Sequence, residues 1–585
     1  MIIKHKLEIV TLGAFLFNKM RCKILMLMYI ISISDSIMIR PRLKIDIKDY
    51  VSFNYTTKSN NVVIYQDIAS GIVYVGTIDT VYVINFYNKT SEVINIYTNN
   101  IEHPENAITF IGSFKNETLI CGSDNLLPKC WKIKDYKLIE QDGRGLSPFT
   151  KNDNQIVLTS GNAVYSTISK SRHASTRLRR VVGNPELYAS DSAMLNPKFI
   201  ELVAIDETNH INDTIYAFFV EEGTSKVARV CSSDIGSEGS LSAYKWSTLL
   251  KTIIKCRNKE GKNYKYLVYI RVIKSSNPDN VKIYGLFLDR SNNSAICVFM
   301  FRDLQNNFNS SPLRGFVGKM PSVRPGTCLD KKHTPRDTFR VIDSYPETEN
   351  NVGGSFIFES SYLYTGFTVL TEKIRHKNKD YNITIFYLAT NDGKMHKVCH
   401  YKDGVLDIVE VSIRTRSSRI LDMLLGSKYN ILYITYNDSI ISLPLAFCEY
   451  YGTTCNECLL ARDPHCSWVN RKCTSSTIGK KLLQYNIDSV PSTICLASRT
   501  KHTTLTRNVF LEDGSYHVLS CPRTSYHAKY VWRKENNTIV ACGIGDCMCN
   551  FIIDDITDKY GNYTCIMEEG WVITDKVIEN IKKLR

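Results

Sequence analysis

The sequence contains little proline and few histidines, and it lacks the short motifs of common hydrolases. Proline accounts for 16 of the 585 residues and histidine for 12. Neither Gly-x-Ser-x-Gly, which positions a hydrolase nucleophile, nor His-Glu-x-x-His, which binds catalytic zinc, occurs in the chain. No histidine stands in a nucleophile or metal motif. We therefore expect a protein that is not an enzyme and that uses no cofactor.

Long apolar runs are missing after the first 40 residues, so no later stretch reaches the roughly 20 apolar residues that cross a bilayer. The N-terminal region has a basic run at 19–23, eight mostly apolar residues at 24–31, and then small residues. This order is typical of a signal peptide, which we place at residues 1–36, with a buried strand as the alternative. The charged end at 577–585 lacks the hydrophobic tail of a lipid-anchor signal. We expect a secreted, extracellular protein without a membrane anchor.

Cysteine and positive charge are abundant, with 19 cysteines and a formal net charge of +15. Loss of the signal peptide would remove Cys22 and leave an even number, as complete disulfide pairing requires. Sequons for N-glycosylation agree with a secretory route, because a glycan needs an exposed loop or strand end. The ten sequons begin at Asn54, Asn88, Asn116, Asn212, Asn292, Asn309, Asn382, Asn437, Asn536 and Asn562.

A recurring hairpin pattern indicates the fold of the first 400 residues. The segments 74–81 (YVGTIDTV), 387–394 (YLATNDGK) and 433–440 (YITYNDSI) share an apolar strand, a tight polar turn and a second strand, and 157–164 (VLTSGNAV) is a shorter version. Such units, repeated over residues 42–446, predict an all-β seven-bladed β-propeller. An all-β sandwich also contains such hairpins and is the alternative.

Two smaller domains are predicted after the propeller. Residues 447–496 contain six cysteines, too many for so short a segment unless they cross-link it. Four of them have a spacing that a zinc site also permits, but the predicted secretory route favours disulfides. Residues 505–582 contain Cys521, Trp532, Tyr563 and Cys565, the spacing of an immunoglobulin-like β-sandwich with its buried tryptophan and tyrosine corner.

Several longer segments resemble one family, the semaphorins. The stretches most similar to the family are 213–221 (DTIYAFFVE), 227–236 (VARVCSSDIG), 245–251 (KWSTLLK), 324–328 (RPGTC) and the cysteine-rich run 448–468. The order of domains also resembles the family: sema propeller, small PSI cysteine module, immunoglobulin domain. Residues 527–532 with Cys542 and Cys549 look most like class 7 semaphorins. The Ile-, Asn-, Lys- and Tyr-rich composition resembles semaphorins encoded by large DNA viruses of the poxvirus kind.

The resemblance implies a set of disulfides. The implied pairs are Cys121–Cys130, Cys231–Cys328, Cys256–Cys297, Cys448–Cys466, Cys455–Cys495, Cys458–Cys473, Cys521–Cys565 and Cys542–Cys549. Cys399 and Cys547 remain, and we expect both to be free thiols, with a long-range bond between them as the alternative. Sequence alone does not fix the connectivity.

The resemblance also implies a function in binding. Semaphorins dock through the propeller onto a plexin receptor, here of the class C type, and generally act as homodimers. A viral member would modulate host immune-cell adhesion and migration. We place the receptor contacts in the stretch 170–195, with Arg177, Arg179 and Tyr188 as the candidate residues. The chain has no Arg-Gly-Asp triplet, which weakens the case for integrin binding.

Two cationic stretches, 172–180 and 373–379, support a second hypothesis. Such clusters attract acidic glycosaminoglycans or an acidic receptor face. They also occur as ordinary solvated loops that keep a protein soluble. The alternative function is therefore a glycosaminoglycan- or integrin-binding extracellular adhesion protein without plexin specificity, and neither hypothesis involves nucleic acid.

Overall fold

Short strands account for almost all of the regular structure. The computed structural model describes residues 41–55, 62–96, 107–124, 126–134, 137–150, 155–172, 175–207, 209–239, 242–376, 379–401, 406–413, 418–426, 430–475, 495, 504–535, 537–542, 549–553, 559–569 and 572–584. The predicted signal peptide lies outside these residues. The longest helix in the described part has ten residues, and none there is long and apolar enough to cross a membrane.

Two strands, β1 (Leu43–Asp46) and β2 (Val51–Asn54), precede a series of antiparallel units, mostly of four strands, which we number as blades. Blade 1 contains β3 (Val63–Gln66), β4 (Val73–Gly76), β5 (Thr80–Asn85) and β6 (Thr90–Asn95). Blade 2 contains β7 (Ala107–Phe114), β8 (Glu117–Asp124), β9 (Leu127–Lys134) and β10 (Lys137–Asp142). Blade 3 contains β11 (Val157–Ser160), β12 (Ala163–Ser166), β13 (Arg179–Val182) and β14 (Leu187–Tyr188).

Blades 4 to 7 continue the series. Blade 4 contains β15 (Lys198–Ile205), β16 (Thr214–Glu221), β17 (Thr224–Cys231) and β18 (Leu250–Arg257), and the short β19 (Asn263–Tyr264) pairs with β18. Blade 5 contains β20 (Tyr266–Ile273), β21 (Lys282–Leu288), β22 (Ser294–Met300) and β23 (Val352–Ser360). Blade 6 contains β24 (Tyr364–His376), β25 (Lys379–Thr390), β26 (Met395–His400) and β27 (Leu406–Ser412). Blade 7 contains β28 (Asp422–Gly426), β29 (Ile431–Thr435) and β30 (Ser439–Pro444).

The blades close into a ring. The innermost strand of each blade contacts that of the next, and β28 contacts β3. Strand β2 pairs antiparallel with β30 and completes blade 7, and the Tyr55 hydroxyl beside it donates to the carbonyl oxygen of Tyr436 at 2.5 Å. Strand β1 joins blade 6 as a fifth strand, parallel to β27. The predicted all-β, seven-bladed propeller is thus confirmed, and both N-terminal strands pair with the last two blades.

The hairpins on which the propeller prediction rests connect neighbouring strands within single blades. The segments 74–81, 387–394 and 433–440 form the turn between the second and third strands of blades 1, 6 and 7. Segment 157–164 instead joins the first and second strands of blade 3. At the blade 6 turn, Gly393 has φ +83°, and a Cβ there would lie 2.2 Å from the carbonyl oxygen of Ser418. Glycine is therefore required by both conformation and space.

A long insertion separates β22 from β23 in blade 5. It contains α1 (Phe301–Ser310) and α2 (Arg336–Ser344). Helix α1 buries Phe301, Leu304 and Phe308, which are spaced as one face of a helix. Short 3₁₀ helices lie elsewhere in the chain, at His210–Asn212, Pro278–Asn280 and Cys448–Tyr450. The insertion is packed onto blade 4 and is not a free-standing loop.

The cysteine module follows blade 7 in the chain. It consists of α3 (Cys455–Leu460) and a hairpin of β31 (Cys466–Val469) and β32 (Lys472–Ser475). Thr454 and Glu457 form a reciprocal capping box that starts α3. Lys397 of blade 6 reaches into the module, where its ammonium lies 2.5 Å from Asp463 Oδ2 and is almost fully buried. The propeller and the module thus share a buried ion pair.

The C-terminal sandwich has two sheets. Their strands are β33 (Leu505–Leu511), β34 (His517–Cys521), β35 (Lys529–Lys534), β36 (Asn537–Cys542), β37 (Cys549–Ile553), β38 (Gly561–Glu569) and β39 (Val572–Lys583). One sheet has the order β33-β39-β38-β35-β36, and the other pairs β34 with β37. Trp532 is fully buried, and the Tyr563 hydroxyl donates to the Lys559 carbonyl oxygen at 3.0 Å, as in a tyrosine corner. The Arg42 guanidinium, just before β1, forms a buried ion pair with Glu569 of this sandwich.

Eight disulfides cross-link the described residues. The pairs are those implied by the family resemblance: Cys121–Cys130, Cys231–Cys328, Cys256–Cys297, Cys448–Cys466, Cys455–Cys495, Cys458–Cys473, Cys521–Cys565 and Cys542–Cys549. The four cysteines that a zinc site would have used are all in these bonds. Cys399 is buried on β26, and Cys547 lies outside the described residues.

Candidate functional site

The three residues proposed from sequence as receptor contacts lie together at the outer edge of blade 3. Arg179 on β13 is the cross-strand partner of Tyr188 on β14, the outermost strand of that blade. The guanidinium carbons of Arg177 and Arg179 lie 5.5 and 5.7 Å from the centre of the Tyr188 ring. Two cations therefore stack against one partly exposed aromatic ring.

The two arginines are held differently. Arg177 donates to Asp191 Oδ1 at 2.5 Å and to Ser175 Oγ at 2.8 Å. Burial lowers the pKa of the Arg179 guanidinium, and the positive charge of Arg177 lowers it further. The Nε atoms of both arginines are buried without a hydrogen-bond acceptor among the described residues. This edge therefore has spare donor capacity next to an aromatic surface.

Arg180 belongs to the same basic run but points inward. Its guanidinium donates to the carbonyl oxygens of Pro185, Ser232 and Asp234, and it stacks on the Trp246 ring. Successive side chains of a strand alternate between two faces, so Arg179 is presented outward and Arg180 is structural. Only part of the cationic stretch 172–180 is thus available to a partner, and residues 173–174 lie outside the described chain.

The surface continues from blade 3 onto the insertion. The Tyr188 amide donates to the Tyr244 carbonyl oxygen at 3.0 Å. The neighbouring Lys245 ammonium lies 3.8 Å from Asp343 on helix α2. Tyr244 is 59% exposed, and Tyr345, at the end of α2, is 37% exposed. We call Arg177, Arg179, Tyr188, Tyr244 and Tyr345 the outer-edge surface.

A buried charge network fixes the insertion beside this surface. Glu221 Oε2 accepts from both Lys226 and Lys251 at 2.7 Å, and Lys226 also bonds Glu347 of the insertion. Burial alone would raise the pKa of Glu221, but hydrogen bonds from the two lysines hold it below its usual value. The Cys231–Cys328 disulfide adds a covalent link between blade 4 and the insertion. The outer-edge surface is therefore built on a rigid support.

Tyrosine and arginine are the residues most enriched at the centres of protein interfaces. Sequence reasoning missed Tyr244, which a backbone hydrogen bond places beside Tyr188, and Tyr345, which lies two residues after Asp343, the partner of Lys245. No local pattern could have revealed them. The chemistry of the outer-edge surface suits binding to another protein.

The centre of the ring contains a cavity of about 440 Å³ lined by Glu201 and Arg271. Arg271 lies 3.2 Å from Asp422 and 3.8 Å from Glu201, and Tyr269 donates to Asp422 at 2.9 Å. Burial raises the pKa of Glu201 to about 7. These groups come from blades 4, 5 and 7 and bind one another, so they form a tie between blades. No group of three or more metal-ligating side chains is placed to hold a metal in the described part of the chain.

The sequon asparagines are mostly at the surface. Nine of the ten are described, and all of these are exposed except Asn437, which is partly buried. Asn116 and Asn292 occupy turns with φ 62°. Asn536 lies outside the described residues.

Family comparisons agree with this architecture. The model of the Sema domain matches residues 268–427, and that of the Plexin repeat matches residues 447–491. Semaphorin-7A of Mus musculus is 31% identical over 562 residues, which covers 89% of this chain and 84% of that protein. Semaphorin-like protein A39 of Vaccinia virus (strain Copenhagen) is 30% identical over 300 residues, covering 49% of this chain and 71% of that protein.

Solved structures show the same fold. Drosophila Semaphorin 2a superposes with a TM-score of 0.72 at 20% identity, covering 93% of this chain and 98% of that one. A chain from the structure of Drosophila Plexin A in complex with Semaphorin 1b gives a TM-score of 0.62 at 19% identity, covering 78% of this chain and all of that one. At these identities the likeness concerns the fold alone.

Proposed function

This chain belongs to the semaphorin family, and from that premise we propose that it is a secreted signalling ligand whose propeller binds the ectodomain of a plexin receptor. The observation that carries the proposal is the outer-edge surface, where two arginines contact the ring of Tyr188 on a rigid support. Plexin A in complex with Semaphorin 1b is among the similar folds, which supports a plexin as the partner. Family membership makes a binding protein, not an enzyme, the expected class.

Secretion is part of the proposal. Eight disulfides persist only in an oxidising compartment. The predicted signal peptide and the exposed sequons agree with that route. We expect the chain from culture medium to be shortened by the signal peptide and to carry N-glycans. Mass spectrometry before and after deglycosylation measures both.

The finer features follow from likeness to particular relatives. Similarity to mammalian Semaphorin-7A favours a class C plexin, and similarity to poxviral proteins favours a viral source. A viral ligand of this type would alter the adhesion and migration of host immune cells. Homodimerisation through the propeller would let one ligand gather two receptors. Sedimentation analysis at micromolar concentration tests the dimer.

The decisive experiment is surface plasmon resonance against a panel of plexin ectodomains. We expect one plexin, of class C, to bind, and Tyr188→Ala to weaken binding by at least about tenfold, since buried interface tyrosines are frequent hot spots. Tyr87→Ala is the matched control, because Tyr87 is 78% exposed on distant blade 1. Arg179→Glu tests the charge at the same site, and Arg290→Glu, at an exposed arginine in the turn between β21 and β22 of blade 5, is its control.

The competing hypothesis is an adhesion protein that binds glycosaminoglycans or integrins. Immobilised heparin and integrin ectodomains belong in the same panel for that reason. Tight binding to heparin without binding to any plexin would reject the receptor-ligand proposal. If the Tyr188→Ala and Tyr87→Ala variants bound a plexin with equal affinity, the plexin would still be the receptor, but its contact surface would lie elsewhere on the chain.

A further inference from the structure

A second site lies between blade 4 and the insertion, apart from the outer-edge surface. It is a cavity of about 240 Å³ lined by residues of β16, β17, α1 and the loop 324–328. The loop and β17 contain two of the segments that resemble the family, RPGTC and VARVC, and the Cys231–Cys328 disulfide joins them. The cavity is smaller than the roughly 300 Å³ that begins the range for drug-sized ligands. It therefore suits a small group.

The chemistry of the cavity is set by Arg229. Its side chain is buried, with the residue 4% exposed, and it stacks on Phe308 of α1 at 5.0 Å. The guanidinium donates to Asn309 Oδ1 and to the Gly326 carbonyl oxygen, both at 2.8 Å, and both acceptors are neutral. No described carboxylate forms an ion pair with it, and the charge of Glu207, which lines the same cavity, acts on it only from a longer distance and raises its pKa. Buried charges in proteins are normally paired, so this cation lacks a carboxylate in direct contact.

Further donors line the same cavity. Arg324 donates to the Ser311 carbonyl oxygen, and its Nε atom is buried without an acceptor among the described residues. The Arg229 Nε atom and Thr214 Oγ1 also form no hydrogen bond of normal geometry in the described part of the chain, although the Tyr216 hydroxyl lies close to both. Burial is the largest cause that lowers the pKa of Arg229, and the charge of Arg324 acts in the same direction. An anion between the two guanidinium groups would offset the repulsion between them.

One carboxylate in the lining reduces the net positive charge of the cavity and so limits the negative charge of the ligand that fits it. Glu207 lines the cavity and accepts from Gln305 Nε2 at 2.6 Å. Burial raises its pKa, so its negative charge is poorly stabilised where it stands. Two arginines against one glutamate leave one net positive charge. The site is therefore matched to a small anion and not to a polyanion.

We propose that this cavity is a binding site for a small oxyanion, a sulfate or carboxylate group, held by Arg229, Arg324 and Thr214. The proposal goes beyond receptor binding and does not depend on it. Two sequon asparagines, Asn212 and Asn309, stand at the rim of the cavity. Glycans there would admit a small group and keep a protein loop out. The group is either a free anion or a sulfate ester at the end of a sugar.

Isothermal titration with inorganic sulfate, at constant ionic strength in chloride, tests the site on the full secreted chain. We expect saturable binding to the wild type and at least about tenfold weaker binding by Arg324→Gln, because a hydrogen bond to a charged group is lost. Arg302→Gln, on exposed α1 surface and 60% exposed at its side chain, is the control and should bind as the wild type does. Arg229→Gln should abolish binding.

Folding is checked separately, because Arg229 is buried. Near-UV circular dichroism of each variant shows whether it is native, and the half-buried Arg324 keeps the test valid if Arg229→Gln does not fold. A sulfated heparin disaccharide that displaces sulfate would assign the site to sugar-borne sulfate, and acetate that displaces it would include carboxylates. Absence of saturable sulfate binding, or equal affinity in Arg324→Gln and the wild type, overturns the proposal.

Discussion

Within residues 43–444, three disulfides accompany seven blades, whereas the module at 448–495 contains three disulfides around one short helix and one hairpin. The propeller buries large apolar clusters between adjacent blades, with Phe218, Phe287 and Ile385 fully enclosed. The module is too small to bury a comparable core, so its cysteines occupy much of its interior. The amount of apolar surface available decides whether burial or covalent cross-links carry stability.

The largest expected effect lies where these two regions meet. Lys397→Met should destabilise the chain by about 3–5 kcal/mol, because it leaves the buried Asp463 carboxylate without its cation. Burial would raise the pKa of Asp463, but the charge of Lys397 holds it below its usual value. Denaturant unfolding followed by tryptophan fluorescence measures the loss.

The control for that variant is Lys394→Met. Lys394 also pairs with a glutamate, Glu410, but its side chain is 37% exposed and Glu410 keeps Lys44 and His396 as partners, so we expect a change below about 1 kcal/mol. Equal effects of the two substitutions would show that burial of the ion pair at the junction has no special energetic role. A loss confined to the module would show that the propeller folds without it.

The second prediction compares one cross-link from each region. Cys121–Cys130 and Cys458–Cys473 span 9 and 15 residues, so removing either should cost roughly 3 kcal/mol by loss of the unfolded-state constraint. The propeller should stay folded when Cys121 and Cys130 are both replaced by serine. The module should unfold when Cys458 and Cys473 are both replaced by serine. Hydrogen exchange with mass spectrometry measures the protection of backbone amides in each region of the two variants. If the module variant kept its protection, the proposed difference between propeller and module would be wrong.

The smallest predicted effect is a pH dependence that separates the two regions. The pKa of Glu201 in the propeller is raised to about 7 from 4.5, so its stabilising contribution is complete below about pH 4.5 and is lost as the pH rises through 7. Asp463 is shifted downward from 3.8, so its contribution is lost only as the pH falls below that value.

Glu201→Gln should therefore flatten the stability of the propeller between pH 4.5 and 7 and leave exchange in the module unchanged. About a third of the Glu201 side chain faces solvent in the central cavity, so we expect less than about 1 kcal/mol. Chemical denaturation at several pH values measures this. A wild-type propeller that gains stability from pH 4.5 to 7 relative to the variant would contradict the assignment.

Local patterns predicted much of the fold. Features that depend on neighbouring residues leave a pattern in the sequence. Examples are the turns of segments 74–81 and 433–440 and the sandwich signature of Trp532 and Tyr563. The fifth strand of blade 6 and the seating of the insertion depend on contacts between distant segments. The candidate site divides in the same way: Arg177, Arg179 and Tyr188 lie within one short stretch. Tyr244 and Tyr345 join them only through tertiary packing.

The closing strand β2 has a consequence for how the chain is made. Tyr55, next to β2, bonds to Tyr436, which lies 381 residues later. At about 5–20 residues per second, synthesis leaves the first segment waiting roughly 20–80 s for its partner. During that time blade 1 has no neighbour on its open side, and its strand edges can pair with other chains. Production of this protein should therefore respond strongly to chaperones that shield nascent β-strands.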